Sequence, residues 1–317
     1  MSIVGIKALV LGLPEVAAWP KMATLFDHAA HRPRPDWDLP GLACTAVGGD
    51  VSLAVPAAAA IACMQVSIIL VDDMLDDDPR GEHLRSGSGP VANLALAYQA
   101  LAFRLVERME VSGGLRAAIS ASLAWLALTT ALGQHWDAQN LKGEENYWKV
   151  VRAKSTPFYG AALHIGALLG GASPEVADRL KDLGIIVGEI IQLHDDLLDA
   201  FQVPANPDWR QGRNNLLILY ACTADQPSSD RFEELLGRID DPDILQEAQQ
   251  ILIKCGAVSY CAYHLISRHR EARDALESIR LADPDPLADL LARQTQPLVN
   301  LLRASGADLP EKLVLER

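Results

Sequence analysis

The chain has 317 residues, of which half are hydrophobic and 5% aromatic, and its formal net charge at neutral pH is −13. This length suits one large domain, and the abundance of alanine and leucine favours helices. The acidic balance argues against a general nucleic-acid-binding protein. The five cysteines are an odd number without CxxC spacing, which is typical of small core residues in a reducing compartment.

Apolar residues at helical spacing, broken by clusters of glycine, proline and aspartate, predict helices along the whole chain. In chain order, the predicted helices cover residues 15–30, 40–47, 51–77, 90–110, 114–139, 144–170, 174–201, 212–224, 228–238, 242–254, 257–278 and 285–304. No segment shows the alternation and hairpin turns of strands. We therefore expect one all-α domain, a large helical bundle, over residues 1–317. In the helix over 257–278, His264, Arg268 and His269 are interpreted as solvated surface.

Three apolar segments require a choice between membrane and core. The first, residues 6–13, is followed by no clear cleavage site, so we expect no signal peptide. Residues 51–71 and 117–136 are each uncharged over about twenty positions, the length of a membrane span. Both are rich in Ala, Ser and Thr, and we interpret them as helices buried on all sides in a soluble bundle. We expect no transmembrane segment and a cytoplasmic protein.

Two aspartate clusters stand at the ends of long apolar segments: DDMLDDD at residues 72–78 and DDLLD at residues 195–199. On a helix, Asp72 and Asp73 lie on the same face as Asp76, and their like charges repel. The C-terminal end of a helix also disfavours anions because of the helix dipole. The first cluster is therefore electrostatically costly.

The second cluster repeats this arrangement with Asp195, Asp196 and Asp199. One isolated cluster is equally well explained as a solvated acidic stretch. The repetition, with Gln65 ahead of the first cluster and Gln192 ahead of the second, argues against that explanation. Two such sites indicate a polyvalent cation, and carboxylate oxygens suit a hard ion such as Mg²⁺, which also binds phosphate oxygens.

Further motifs accompany the two clusters in a fixed order. They are LVDDMLDDDPRG at 70–81, GQHWDAQ at 133–139, AKSTPFYGAAL at 153–163, GEIIQLHDDLLD at 188–199, DWRQGRNNLLILYA at 208–221 and CGAVSYCAYHLISRHREARDAL at 255–276. In this order they resemble the trans-isoprenyl diphosphate synthases, or polyprenyl synthetases. The resemblance implies an isoprenoid synthase fold, a homodimer and a Mg²⁺ cofactor.

The resemblance also implies a reaction. An allylic prenyl diphosphate is ionised, and its cation is condensed with isopentenyl diphosphate to give a longer trans-prenyl diphosphate. The implied metal ligands are Asp72, Asp73, Asp76, Asp195, Asp196 and Asp199. The implied contacts to the allylic diphosphate and its cation are Lys154, Arg213, Ser155 and Gln192. The implied contacts to isopentenyl diphosphate are Gln65, Arg80 and, as a remnant, Arg34.

The chain departs from the family pattern in the half of the site that binds isopentenyl diphosphate. RPRPDW at 32–37 replaces a GKxxR stretch and leaves Arg34, and a paired arginine is reduced to Arg80. Tyr98 and Gln99 replace a Gly-Asp pair. Since a diphosphate needs several charge-assisted hydrogen bonds, the sequence predicts an eroded acceptor half and an intact ionising half of the site.

Three interpretations follow from this pattern. The chain is an elongating prenyltransferase with a remodelled acceptor site, a terpene synthase-like enzyme that ionises a prenyl diphosphate without isopentenyl diphosphate, or a non-catalytic partner subunit. The intact aspartate clusters argue against an idle subunit. The DDLLD order, in place of the NxxxSxxxE pattern of most terpene cyclases, favours prenyl transfer.

The length of the hydrocarbon tail is predicted from the helix that carries the first cluster. In the family that the chain resembles, the tail lies beside residues four, five and eight before the first aspartate, here Ile68, Ser67 and Met64. None of them is aromatic, so none blocks the tail as a ring would. We therefore expect a tail of about fifteen to twenty carbons, one to two helical turns up from the cluster.

Overall fold

The computed structural model describes residues 3–31, 33–206, 209, 215–224 and 229–304, with side chains as far as residue 296. Within these residues all regular structure is helical, which confirms the predicted all-α fold. The helices are α1 Ile3–Leu11, α2 Pro14–Ala17, α3 Pro20–Ala29, α4 Leu39–Ala46, α5 Val55–Leu75, α6 His83–Ser86, α7 Ser88–Glu107, α8 Gly113–Ala138, α9 Glu144–Lys154, α10 Thr156–Leu169, α11 Pro174–Ala200, α12 Leu216–Thr223, α13 Ser229–Leu236, α14 Pro242–Lys254, α15 Ala257–Ser278 and α16 Asp285–Ala304. Two 3₁₀ turns, Pro35–Asp38 and Val51–Ala54, precede α4 and α5.

Prolines and capping side chains explain where several helices begin. Proline stands in the first turn of α2, α3 and α14, where its missing N–H costs no hydrogen bond. The side chain of Asp241 caps α14 by accepting a hydrogen bond of 2.9 Å from the Asp243 N–H. Asn215 caps α12 in the same way, at 3.0 Å from the Leu217 nitrogen.

The helix predicted over 144–170 is divided in two. α9 ends at Lys154 and α10 begins at Thr156, and Ser155 between them is the C-terminal cap residue of α9. Pro157 explains the division, because a proline lacks the N–H that would continue the hydrogen-bond ladder of α9. This division places Lys154 and Ser155 at a helix end, where both side chains can turn toward neighbouring helices.

The structure also contains helices that the sequence pattern did not predict. α1 lies ahead of the first predicted helix, and its Ile6 and Val10 are fully buried. The short helix α6 lies in the segment 79–90, which was expected to be a loop. Both are too short for helical periodicity to be recognised, so packing rather than local pattern determines them.

The described chain falls into two compact units. The first comprises Met1–Ala131, Pro157–Ile185 and Ala275–Ala288, and the second comprises Leu132–Thr156, Ile186–Asp274 and Asp289–Arg317. The expectation of one domain over residues 1–317 stays a prediction.

In the first unit, α5 is the central helix. It packs along α7 and also contacts α1, α3 and α4. Small side chains fill its middle, since the alanines from Ala57 to Ala62 are at most 1% exposed. An aromatic group beside it consists of Phe26, Trp37 and Tyr98, with the rings of Phe26 and Trp37 stacked at 5.4 Å. The core of this unit therefore surrounds the helix that ends in the first cluster.

In the second unit, α12 packs against α9, α13 and α14. The interpretation of the polar group on α15 as solvated surface is wrong. His269 is 2% exposed and its Nδ1 lies 3.1 Å from the Thr295 hydroxyl of α16. Arg268 forms an ion pair of 3.1 Å with the buried Glu189 of α11. Other helices cover this face of α15, which its own sequence did not indicate.

Among the residues that the structure describes, two helical segments are long and apolar enough to cross a membrane by length and composition. In Val51–Leu75, 67% of the most apolar window is buried within the protein, but in Gly113–Ala138 only 28% is. The expectation of a helix buried on all sides therefore fails for α8. Its exposed face carries Ala117, Ala121 and Leu128, and Leu128 is 74% exposed.

Candidate active site

The first aspartate cluster lies at the end of α5. Asp72 and Asp73 belong to its last turn, and Asp76 is its C-terminal cap. Asp77 follows with a φ of +51°, the left-handed conformation that ends many helices and that aspartate tolerates. The turn is closed by the Asp78 N–H, which donates to the Asp73 carbonyl at 3.0 Å. The end of one buried helix thus holds all these carboxylates close together.

The predicted repulsion between the carboxylates contributes to a raised pKa of Asp73. Partial burial, reinforced by the charges of Asp78 and Asp72, raises the pKa of Asp73 from its ordinary value of 3.8 to about 6, although His83 and Arg80 oppose the shift. A carboxylate that ionises with such difficulty favours a bound cation. The donor set of this cluster therefore fits a hard divalent ion.

Arg80 lies two residues after the cluster and is paired within its own loop. Its guanidinium donates to both oxygens of Asp78, at 3.1 and 2.8 Å, and its side chain is 87% exposed. Arg34 lies at the start of the 3₁₀ turn, where its Nε donates to the Ala29 carbonyl at 3.1 Å. Both cations lie in the first unit, as does Gln65.

Gln65 has a fixed orientation. The Trp37 indole N–H donates to its Oε1 at 2.6 Å, and its Nε2 donates to the Asp36 carboxylate. An indole can only donate and a carboxylate only accept, so the amide has one possible orientation here. Trp37 is 1% exposed and stacked on Phe26, which holds this arrangement firmly. Sequence reasoning singled out Gln65 but not its two partners.

The three residues assigned to chain length differ in burial. Met64 is 1% exposed and Ser67 is 8% exposed, whereas Ile68 is half-buried. The Ser67 hydroxyl donates to the Ala95 carbonyl of α7 at 2.8 Å. Ser67 therefore faces α7, and a larger side chain there would press against that helix.

The second cluster lies on the last two turns of α11, in the second unit. More than a third of Asp195 is accessible, yet desolvation by surrounding protein atoms and repulsion from Asp199 raise its pKa to about 6. The pKa of Asp195 is thus raised to about the same value as that of Asp73, although the two residues lie at the ends of different helices.

Asp196 is held differently, because it is buried and its carboxylate accepts three hydrogen bonds. They come from the Tyr147 hydroxyl at 2.7 Å, the Gln192 amide at 2.9 Å and the Leu216 N–H at 2.9 Å. Burial is nevertheless the larger effect and raises the pKa of Asp196 to about 7. Both oxygens of Asp196 are engaged by the protein, and the predicted role as a metal ligand stays a prediction.

A hydrogen-bonded chain continues from Asp196 to the end of α9. Gln192 donates to Asp196 and accepts from the Ser155 hydroxyl at 2.7 Å. This chain fixes the Gln192 amide with its oxygen toward Ser155. Sequence reasoning singled out Gln192 and Ser155, and the structure brings them into direct contact. Tyr147, which completes the network, gave no sequence signal, because its partner is 49 residues away.

Lys154 forms an ion pair of 2.7 Å with Asp137, the last residue of the GQHWD motif. Gly133 of the same motif explains how the two segments approach. A Cβ atom at Gly133 would lie 2.3 Å from the backbone nitrogen of Lys154, which is much shorter than a van der Waals contact. α8 therefore packs backbone to backbone against the end of α9, and only glycine allows this approach. Arg213, the other predicted contact to the allylic diphosphate, lies outside the described residues.

No group of three or more His, Cys, Asp or Glu side chains surrounds a single point within the part of the chain that the structure describes. A hard cation such as Mg²⁺ keeps several waters and takes phosphate oxygens as further ligands. Two or three carboxylates at a helix end are thus a sufficient protein contribution to such a site.

Comparisons with known proteins identify the family and the fold. Residues 32–252 match the polyprenyl synthetase family. A short chain isoprenyl diphosphate synthase of Methanothermobacter thermautotrophicus is 30% identical over 258 residues, which cover 76% of this chain and 79% of that protein. A nonaprenyl diphosphate synthase of Mycobacterium tuberculosis is 30% identical over 64% of each chain. The geranylgeranyl pyrophosphate synthetase of Pyrococcus horikoshii has a similar fold, with a TM-score of 0.81 at 23% identity over 92% of this chain and 93% of that one.

An all-α fold in which two long helices end in aspartate clusters defines an isoprenoid synthase. The chain belongs to the polyprenyl synthetase family, and it is a prenyltransferase. Membership implies a requirement for a divalent metal ion.

Proposed function

We propose that this enzyme ionises an allylic prenyl diphosphate and condenses it with isopentenyl diphosphate, giving a trans-prenyl diphosphate of the fifteen- to twenty-carbon class. The observation that carries the proposal is that two long helices, α5 and α11, each end in a cluster of carboxylates in a chain of the polyprenyl synthetase family. Carboxylates that repel one another at a helix end support a role in binding cations rather than in stabilising the fold, and the raised pKa of Asp73 and of Asp195 agrees with this role.

In this reaction the carbon–oxygen bond of the allylic diphosphate breaks, and its electron pair leaves with the diphosphate. The aspartates of the first cluster (Asp72, Asp73 and Asp76) and those of the second (Asp195, Asp196 and Asp199) would hold Mg²⁺ ions, which would supply positive charge to the departing group. Lys154 and Arg213 add charge-assisted hydrogen bonds to the diphosphate. Ser155 and Gln192, whose side chains are hydrogen-bonded to each other, are the proposed polar groups beside the allylic cation.

In the second half of the reaction, the double bond of isopentenyl diphosphate supplies the electron pair of the new carbon–carbon bond. A proton is then lost from the adjacent carbon. Gln65, Arg80 and Arg34 are the proposed contacts to the acceptor. A second candidate function, ionisation without isopentenyl diphosphate, is favoured by the engagement of Gln65 with Asp36 and of Arg80 with Asp78.

We also propose a cytoplasmic homodimer. The exposed apolar face of α8 supports a second subunit, as does the exposed Leu96 of α7, which is 65% accessible. The absence of large rings at Ser67, Ile68 and Met64 supports the proposed product length. The relatives bear names from short-chain to nonaprenyl synthases, so the family alone leaves the length open.

The experiment that tests the proposed function is incubation with labelled isopentenyl diphosphate and a panel of allylic diphosphates of increasing length, with and without Mg²⁺. We expect labelled products of fifteen to twenty carbons that require Mg²⁺. Release of diphosphate without incorporation of label would instead establish the second candidate function. No release of diphosphate from any allylic substrate would reject both.

A further inference from the structure

A cavity of about 330 Å³ lies in the first unit, against the C-terminal half of α5. Apolar side chains of α3 and α5 form part of its wall, among them Leu25, Val66 and Ile69. The charged residues that line it are Arg34, Asp73, Asp78, Arg80, Glu82 and Arg85. Arg85 is the guanidinium of this wall to which the sequence pattern assigned no role.

Arg85 belongs to α6, the short helix that follows the first cluster, and its side chain is 69% exposed. Its Nε donates to a carboxylate oxygen of Glu82 at 3.1 Å, and one terminal nitrogen lies 3.5 Å from the Arg80 carbonyl oxygen, at the limit of a hydrogen bond. A guanidinium carries five N–H groups, so these contacts occupy a minority of them. Arg85 therefore lines the cavity with N–H groups that a ligand can use.

The charge of Glu82 is shared between two cations. Glu82 is 6% exposed, and its other carboxylate oxygen forms an ion pair with Lys21 of α3 and accepts a hydrogen bond from the Ser86 hydroxyl. Lys21 lies one helical turn before Leu25, on the face of α3 that lines the cavity. One buried carboxylate thus holds two cations, which leaves a net positive charge at this part of the wall.

Arg34 adds a second positive charge to the wall. Its Nε donates to the Ala29 carbonyl at 3.1 Å, and this partner carries no formal charge. Arg80, by contrast, forms two hydrogen bonds with Asp78, so the charges of these two residues offset each other. The remaining carboxyl group of the wall, Asp73, belongs to the cluster assigned to the metal. The wall therefore offers an excess of positive charge to an anion in the cavity.

We infer that Arg85 binds the diphosphate of the acceptor and, together with Arg34, supplies the positive charge that the reduced arginine pair of the sequence lacks. Glu82 is the positioning residue of Arg85, and Lys21 offsets the charge of Glu82. A guanidinium held through its Nε presents two terminal nitrogens side by side, which matches two oxygens of a phosphate group. This inference rests on the proposed function, since it takes the cavity as the acceptor pocket.

The test measures binding of isopentenyl diphosphate by calorimetry, with chelator in place of metal and without an allylic substrate, so that no turnover takes place. We expect Arg85→Gln to weaken binding by at least about tenfold, because charge-assisted hydrogen bonds to the diphosphate are lost. Lys21→Gln should weaken binding by about threefold, although Lys21 does not line the cavity, because the negative charge of Glu82 is then less fully offset.

Each variant has a matched control in the first unit. Arg104→Gln removes an arginine of α7 that is also paired with a glutamate three residues away, and Lys7→Gln removes a lysine of α1 that is paired with Asp27. Neither residue lines the cavity, so both controls should bind isopentenyl diphosphate as the wild type does. Arg85 and Lys21 have exposed side chains, and thermal melts should show that their variants fold as the controls do.

The inference is overturned if Arg85→Gln binds isopentenyl diphosphate as tightly as Arg104→Gln, if Lys21→Gln binds it as tightly as Lys7→Gln, or if the wild-type protein does not bind it. These outcomes are separate from the failure of the proposed function. Binding that depends on Arg85 without incorporation of labelled acceptor would retain the inference and reject the condensation. Incorporation with an unchanged KM for isopentenyl diphosphate in Arg85→Gln would reject the inference and retain the condensation.

Discussion

Asp73 and Asp195 both have a pKa of about 6, well above the ordinary value of an aspartate. Asp73 owes this shift to partial burial and to the neighbouring Asp78 and Asp72, and Asp195 owes it to desolvation and Asp199. Such carboxylates destabilise the protein by themselves and gain favourable interactions when a cation binds. Two experiments at the scale of single residues follow from this.

Asp73→Ala and Asp195→Ala should each lower turnover by at least about a thousandfold, since each removes a carboxylate that would hold the metal, and the metal's positive charge would stabilise the departing diphosphate. With chelator present, both variants should unfold at a higher temperature than the wild type, because repulsion is relieved. Steady-state kinetics and thermal melts measure these effects. Asp289→Ala, an exposed aspartate of α16, is the control and should change neither. Near-normal turnover in either test variant would reject the assignment of that cluster to the metal.

The pH dependence of stability follows from the same groups. Between about pH 4 and pH 7, the unfolded chain loses protons that Asp73, Asp195 and Asp196 retain in the folded protein. For these three groups the unfolded state binds fewer protons, so their contribution to the free energy of unfolding falls as the pH rises through this window. The buried or half-buried histidines His164, His194, His264 and His269, whose pKa values are lowered by desolvation, contribute with the opposite sign. Urea denaturation at several pH values, with chelator or with Mg²⁺, measures the slope of the free energy of unfolding against pH. Mg²⁺ should make this slope more positive, because it displaces protons from the aspartates of the folded protein, and a slope unaffected by Mg²⁺ would contradict the idea that these aspartates bind it.

At the scale of helices, α8 packs closely against the end of α9 because residue 133 of α8 is a glycine. Gly133→Ala would place a methyl group 2.3 Å from the backbone nitrogen of Lys154. We expect the variant to lose about 1–3 kcal/mol of stability through overpacking, and to lose activity because Lys154 moves. Gly114→Ala in the first turn of the same helix has open space around it and should be neutral or slightly stabilising. Equal stability of the two variants, measured by denaturant, would show that α8 and α9 do not pack so closely.

The contact between α5 and α7 provides a test of product length. Ser67→Phe should shorten the product, because the ring would fill the space that the next isoprene unit needs. Ser67 is buried against Ala95, so this variant should also lose about 1–3 kcal/mol of stability. Ser67→Ala removes the hydrogen bond without adding volume and should leave product length unchanged. Chromatography measures the chain lengths of the products of both variants. An unchanged distribution of product lengths for Ser67→Phe would show that the hydrocarbon tail does not pass Ser67.

At the scale of the whole molecule, the exposed face of α8 should lie between two subunits. Leu128 is 74% exposed, and burying such a face is favourable by about 25 cal/mol per Å² of apolar surface. Leu128→Glu should therefore shift the protein from dimer to monomer in light scattering. Ile253→Glu, at another exposed apolar position on α14, should leave the mass unchanged. A wild-type protein that is monomeric in solution would refute the dimer.

The sequence by itself determined the helical class and the two clusters. Both are local properties: helical periodicity repeats every few residues, and the charges of Asp72, Asp73 and Asp76 repel because they are close in the chain. The same locality explains why the ends of α11, Pro174 and Ala200, agree with the predicted helix over 174–201. It also explains two errors, since the burial of α8 and of His269 depends on which other helices cover them and not on their own sequences.

Only the tertiary structure decided which partners hold the functional groups. Gln65 is fixed by Trp37, 28 residues away, and Asp196 by Tyr147, 49 residues away. Sequence spacing carries no information about such pairs, because the distance between them is set by the packing of whole helices. The same holds for the ion pair of Lys21 and Glu82, which are 61 residues apart in the chain. A sequence motif identifies the residue types of a site, and the packed fold determines which of them remain available to a ligand.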